Sequence, residues 1–151
     1  GYLLSIFPDA VFVNLKRKEI PVISSFLKVD FWKERGSDKF WWQGAYTKEE
    51  MEWARENKDN PVLLTAYQIK KLNNTTNKEL QKYRPKNITV SYEDFVANPK
   101  KEIDHILDFL ELDKARDCYD YLDSIQIFNR NKADNEYFSE KELDEIKEIK
   151  V

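Results

Sequence analysis

Arg17 and Ser25 are the residues of this sequence whose types and spacing best suit binding an anion together. Arg17 follows a short apolar run, residues 10–15, and Ser25 comes eight positions later in a segment with helical character. Ligands of open α/β sheets bind beyond the carboxyl ends of strands, where a guanidinium can hold phosphate by two parallel hydrogen bonds. The spacing therefore predicts a phosphate site. The alternative is a solvated loop arginine and a serine that only fills the helix.

Aromatic side chains are concentrated in residues 31–46, which carry Phe31-Trp32 and Phe40-Trp41-Trp42. Aromatic walls suit a pocket for an apolar or sugar-like molecule. Such side chains also form small satellite cores beneath long loops. Both interpretations stay open, and the segment, which holds two of the three glycines, is predicted to be an irregular loop or lid.

The elements that must position these residues alternate between strands and helices. Residues 10–15 are a nearly continuous apolar run and residues 87–92 are short and β-branched, so both are predicted to be strands of a parallel sheet. A Thr or Ser followed three residues later by Glu predicts a capping box at the start of a helix. This order of elements is typical of an α/β domain. Helices are expected at residues 20–28, from Thr47 with Glu50, at 62–83, 99–110 and 113–123, and from Ser139 with Glu142.

Composition limits the classes of function. The chain has 151 residues, 41% of them hydrophobic, which is enough for a core and predicts a single domain, residues 1–151. The net charge of −3 gives no general attraction for nucleic acid or anionic membrane, so neither is expected as a partner. One histidine, His105, excludes a histidine-rich zinc site, and no metal is expected. One cysteine, Cys118, excludes an internal disulfide and favours a reducing, cytoplasmic location.

Two strands are too few for a stable sheet. Either further strands lie upstream of Gly1 or a partner chain supplies them. Open sheet edges favour self-association, so a homo-oligomer is one expectation. The chain starts at once in an apolar segment, residues 2–7, which suggests a domain entered in its middle.

Residues 7–28, FPDAVFVNLKRKEIPVISSFLK, resemble the 3′-phosphate-binding strand, loop and helix of the sulfotransferases that use PAPS (3′-phosphoadenylyl sulfate). In that family an arginine after the strand and a serine eight positions later bind the 3′-phosphate, and Arg17 with Ser25 matches this spacing. Lys18-Glu19 stands where the family usually has an acidic or amide residue and then proline. The loop is therefore expected to differ in shape.

Two further segments carry the resemblance. Residues 90–99, VSYEDFVANP, are similar to the family's strand, YED motif and proline-started helix, in which Tyr and Glu fix the strand end. Residues 128–132, FNRNK, look like its late basic loop, which folds over the nucleotide. The resemblance implies that Arg130 and Lys132 join the 3′-phosphate site. The alternative is a solvated charge cluster before a helix.

The resemblance implies a three-layer α/β fold with a parallel sheet, related to the P-loop nucleotide kinases and present as a partial domain. It implies transfer of a sulfuryl group from PAPS to a hydroxyl or amine of a small-molecule or sugar-like acceptor. The family's phosphosulfate loop and catalytic base are expected upstream of Gly1, so catalytic residues are unassigned and little turnover is predicted for this chain alone. Tyr67 and Trp53 are candidates for the family's adenine-stacking aromatic.

Two other classes of function stay open. A catalytically inactive, sulfotransferase-like module would bind a nucleotide or a partner without chemistry, which fits the absence of a glycine-rich strand-to-helix turn. A P-loop kinase relative would use ATP, although the spacing from Arg17 to Ser25 and the YED motif argue against it. Binding of 3′,5′-ADP compared with ADP discriminates between donor site and kinase.

Overall fold

Two short strands form a parallel sheet in this protein. The computed structural model describes residues 1–131 and 137–151. Within them β1 (Phe12–Lys16) pairs with β2 (Asn87–Ser91), with Phe12 opposite Asn87 and Lys16 opposite Ser91. Both segments are thus confirmed as strands of a parallel sheet, and the structure pairs them with each other. Because the strands are parallel and in register, their carboxyl ends lie at the same edge.

Helices make up most of the rest of the described chain. The first and last residues of several helices agree with the predicted ranges to within a few residues, and those of α7 agree with the predicted range 99–110. None of the helices in the described ranges is long and apolar enough to cross a membrane. The helices are α1 (Tyr2–Ile6), α2 (Glu19–Leu27), α3 (Asp30–Arg35), a 3₁₀ turn (Gln43–Ala45), α4 (Lys48–Glu56), α5 (Pro61–Tyr83), α6 (Tyr92–Ala97), α7 (Pro99–Leu110), α8 (Arg116–Ser124) and α9 (Glu140–Glu148).

Both predicted capping boxes are confirmed. The Thr47 hydroxyl accepts a hydrogen bond from the Glu50 backbone, and the Glu50 carboxylate accepts one from the Thr47 backbone. Ser139 and Glu142 make the same reciprocal pair at the start of α9. Each pair satisfies amide groups that a helix N-terminus leaves without intrahelical partners.

The prediction of an irregular loop over residues 31–46 is wrong in part, because α3 and the 3₁₀ turn lie there. Trp32 is buried, and its indole nitrogen donates to the Thr65 hydroxyl at 2.9 Å. A Cβ on Gly36 would lie 2.6 Å from the Trp32 ring, so the glycine permits this close approach. Contacts with α5 therefore order residues 31–46. These contacts join residues far apart in the chain, so no local sequence pattern predicts them.

A short helix, α6, also occurs where the sequence predicted only the end of a strand. The Ser91 hydroxyl accepts a hydrogen bond from the Asp94 backbone at 3.3 Å and caps the helix. Ser91 is both the last residue of β2 and the N-cap residue of α6. The chain therefore turns directly from β2 into α6.

The described chain divides into two compact units. The first contains residues 1–17 and 78–130, with both strands and α6, α7 and α8; the second contains residues 18–77 and 131–151. In the second unit two apolar clusters form around α5. One comprises Ile23, Leu27, Ala66, Ile69, Phe138 and Ile146, and the other Phe40, Ala54, Leu64 and Tyr67.

Lys70 of α5 is expected to stabilise the second unit by capping α9. Its ammonium donates to the carbonyl oxygens of Ile146 at 2.6 Å and Ile149 at 3.2 Å. Carbonyls at a helix C-terminus lack intrahelical donors and carry partial negative charge. We expect Lys70→Met to lower the free energy of unfolding by about 1–2 kcal/mol in denaturant titrations.

Lys78→Met is the matched control, since Lys78 lies exposed on the same helix. It should change the free energy of unfolding by less than about 0.5 kcal/mol. Equal effects of the two substitutions would contradict the capping role.

Candidate functional site

Arg17 lies at the carboxyl edge of the strand pair. Arg17 directly follows the last residue of β1. Tyr92 directly follows the last residue of the neighbouring strand, β2, and is the first residue of α6. The Arg17 guanidinium carbon is 4.6 Å from the centre of the Tyr92 ring. Because cations are attracted to the faces of aromatic rings, this contact orients the half-buried guanidinium.

The late basic segment meets the same tyrosine. The Tyr92 hydroxyl donates to the Phe128 carbonyl oxygen at 3.2 Å and accepts from the Arg130 backbone nitrogen at 3.1 Å. The Arg130 side chain is exposed. The structure thus brings Arg17 and the backbone of Arg130 to one residue, Tyr92, although they are far apart in the chain.

The residues around Tyr92 fix the strand end. The Ser91 hydroxyl donates to the Glu93 carboxylate at 3.1 Å while it caps α6. Glu93 is half-buried, which agrees with the architectural role that the YED motif implied. Sequence reasoning missed the link from Tyr92 to residues 128–130, and the YED motif is the only sequence signal at that position.

The structure does not test whether Ser25 and Lys132 belong to this arrangement. Ser25 lies on α2 in the second unit, with its side chain exposed, whereas the neighbouring Ser24 is buried. Exposure leaves the Ser25 hydroxyl accessible to a ligand. Lys132 lies outside the described residues. Both assignments stay predictions.

The aromatic segment is divided between core and surface. Phe40 is fully buried and stacks on Tyr46 with ring centres 4.1 Å apart, and Trp32 is also buried. Phe31, Trp41 and Trp42 are exposed, Trp42 to 69%. The core interpretation therefore holds for Trp32 and Phe40, and only the other three could contact a ligand at the surface.

Tyr67, a candidate for the adenine-stacking aromatic, lies in an apolar cluster of the second unit. It is 6% exposed, and its ring packs against Phe40 and Trp53 at 5.1 and 4.6 Å. Its hydroxyl donates to the Glu50 carboxylate at 2.9 Å. Burial, followed by the bond and charge of Glu50, raises the pKa of Tyr67. This packing leaves little of the ring accessible to an adenine, and the assignment stays a prediction.

Trp53 lines a cavity of about 450 Å³ in the second unit, but the charge of the cavity disfavours an anionic nucleotide. Four glutamates and one lysine are in its wall. Burial raises the pKa of Glu50, but hydrogen bonds from Lys71, Thr47 and Tyr67 outweigh it and lower that pKa overall. Glu50 is therefore ionised at neutral pH, and like charges would repel phosphate groups.

A second cavity, of about 620 Å³, lies beside β2 in the first unit. His105 of α7 is in its wall and is exposed. Among residues 1–131 and 137–151, no group of three or more His, Cys, Asp or Glu side chains is placed to hold a metal ion.

Comparison with known proteins adds one finding. A family model described as "Sulfotransferase family" matches residues 1–117. The match includes both strands, the segment from Arg17 to Ser25, and the helices through α7. A search of curated proteins and a search of solved structures each gave no significant match.

Proposed function

Because the chain belongs to the sulfotransferase family, we propose that it takes part in sulfuryl transfer with PAPS as the donor. The first unit would bind the 3′-phosphate of the donor nucleotide through Arg17 and Arg130. Ser25 is proposed as a further ligand on the strength of its spacing from Arg17, and Lys132 on the resemblance of residues 128–132 to the family's late basic loop.

The observation that carries the proposal is the position of the Arg17 guanidinium at the carboxyl edge of the parallel strands, on the Tyr92 ring. Ligands bind at this edge in open α/β sheets. A guanidinium held in one orientation can donate two parallel hydrogen bonds to phosphate oxygens.

The chemistry proposed is an in-line displacement at sulfur. The bond between sulfur and the phosphate oxygen of the donor breaks, and a bond forms from sulfur to a hydroxyl oxygen or amine nitrogen of the acceptor, whose proton is released. Arg17 and its neighbours act on the 3′-phosphate, which is remote from sulfur. Their contribution is to fix the nucleotide in one place, because positioning of a reactant lowers the barrier to transfer.

Isothermal titration calorimetry with nucleotides tests the donor assignment. We expect 3′,5′-ADP, which is the donor without its sulfuryl group, to bind at least about tenfold more tightly than ADP, since charge-assisted hydrogen bonding to the 3′-phosphate contributes about 1.5–3 kcal/mol. Ser25→Ala should weaken 3′,5′-ADP binding, with Ser5→Ala as a control on another exposed helical serine. Equal affinity for the two nucleotides would contradict the PAPS assignment, and tighter ADP binding would support a kinase relative.

A further inference from the structure

We infer that Tyr92 is a positioning residue that couples Arg17 to the segment 128–130, so that the two basic elements act on one anion. The inference rests on the proposed 3′-phosphate site and adds to it a residue that does not itself touch the phosphate. It is carried by three contacts of one side chain, to Arg17, Phe128 and Arg130.

The ring of Tyr92 acts on Arg17. A free arginine side chain samples many rotamers, and ordering it opposes binding. With the guanidinium carbon 4.6 Å from the ring centre, the ring restricts these rotamers before any ligand arrives. Any aromatic ring at position 92 would keep this effect, so phenylalanine should preserve it and leucine should not.

The hydroxyl of Tyr92 acts on the late segment. It donates a hydrogen bond to the Phe128 carbonyl oxygen and accepts one from the Arg130 amide. These partners are 36 and 38 residues away in the sequence. The Phe128 side chain is 58% exposed, so burial of that ring contributes little to holding the segment. The hydroxyl therefore ties the backbone that carries Arg130 to the strand edge that carries Arg17.

Tyr92→Phe separates the two effects, because it keeps the ring and removes both hydrogen bonds. We expect it to weaken binding of 3′,5′-ADP by about five- to tenfold and binding of 5′-AMP by less than about twofold, since only the former carries the 3′-phosphate. Amide hydrogen exchange at residues 128–131 should become faster. Tyr92→Leu should weaken 3′,5′-ADP binding further.

A double-mutant cycle with Arg130→Ala distinguishes coupling from general destabilisation. If Tyr92 acts through Arg130, the loss on Tyr92→Phe should largely disappear in the Arg130→Ala background, because coupled residues are not additive. Tyr121→Phe is the matched control, since Tyr121 is an exposed tyrosine of the same unit. It should leave affinity and hydrogen exchange unchanged.

The outcomes separate this inference from the proposed function. If the wild-type chain binds 3′,5′-ADP and Tyr92→Phe keeps the same preference over 5′-AMP, the positioning role is overturned and the donor site stands. Additive losses in the cycle also overturn the coupling. If the wild-type chain shows no preference for 3′,5′-ADP, the donor site and the positioning role fall together.

Discussion

Arg17→Ala should weaken 3′,5′-ADP binding by about 30- to 100-fold and ADP binding far less. The reason is that a guanidinium with two charge-assisted hydrogen bonds to phosphate contributes about 2–3 kcal/mol, which alanine removes entirely. Arg17→Lys should recover only part of the affinity, because an ammonium keeps the charge but not the forked geometry. Calorimetric titration of the two nucleotides with each variant measures these differences.

Arg116→Ala is the control for loss of a positive charge. Arg116 is on α8 of the same unit, with a side chain that is 90% exposed and an ion pair to Asp120 at 3.5 Å. Exposed pairs of this kind contribute little, so affinity should change by less than about twofold. A similar loss in Arg17→Ala and Arg116→Ala, or equal loss for both nucleotides in Arg17→Ala, would contradict a specific 3′-phosphate contact.

Phe40→Ala should be the most destabilising single substitution proposed for this chain. Phe40 is fully buried and stacks with Tyr46, Tyr67 and Trp53. Removal of its ring takes away apolar contacts and leaves a cavity, for which losses of about 3–5 kcal/mol are usual. Domains have only about 5–15 kcal/mol of stability, so a large part of it would be lost.

Urea titration followed by tryptophan fluorescence measures the Phe40 effect. Phe7→Ala is the matched control, because Phe7 is 60% exposed and the same ring is removed. Its free energy of unfolding should change by less than about 1 kcal/mol. If Phe40→Ala had an effect no larger than Phe7→Ala, the stacked aromatic cluster would not be a stabilising core.

Signals contained within a few residues were sufficient for much of the secondary structure. Thr47 with Glu50, and Ser139 with Glu142, identified two helix starts because each capping box is formed by residues of the same turn. Pro99 identified the start of α7, since proline suits the first turn, where no intrahelical acceptor is needed. The apolar and β-branched runs identified both strands.

Helix α3 could not be predicted in the same way. Trp32 is ordered by Thr65, and Gln68 donates to the Gly36 carbonyl oxygen at 2.8 Å and accepts from the Trp41 amide at 3.0 Å. The two residues of each hydrogen bond are separated by about thirty positions in the sequence, so no local pattern predicts these contacts. The same contacts decide that Trp32 belongs to the core while the adjacent Phe31 stays exposed.

The sequence by itself determined the two strands and several of the helix starts of this protein, and it indicated Arg17 as a cation that directly follows a strand. Only the tertiary structure decided that β1 and β2 pair in register, that Arg17 lies on the ring of Tyr92, and that the hydroxyl of Tyr92 holds residues 128–130. The physical reason is the range of the interactions. Caps and strand propensities act within a turn or a strand, whereas the parallel pairing and the contacts of Tyr92 join segments that only folding brings together.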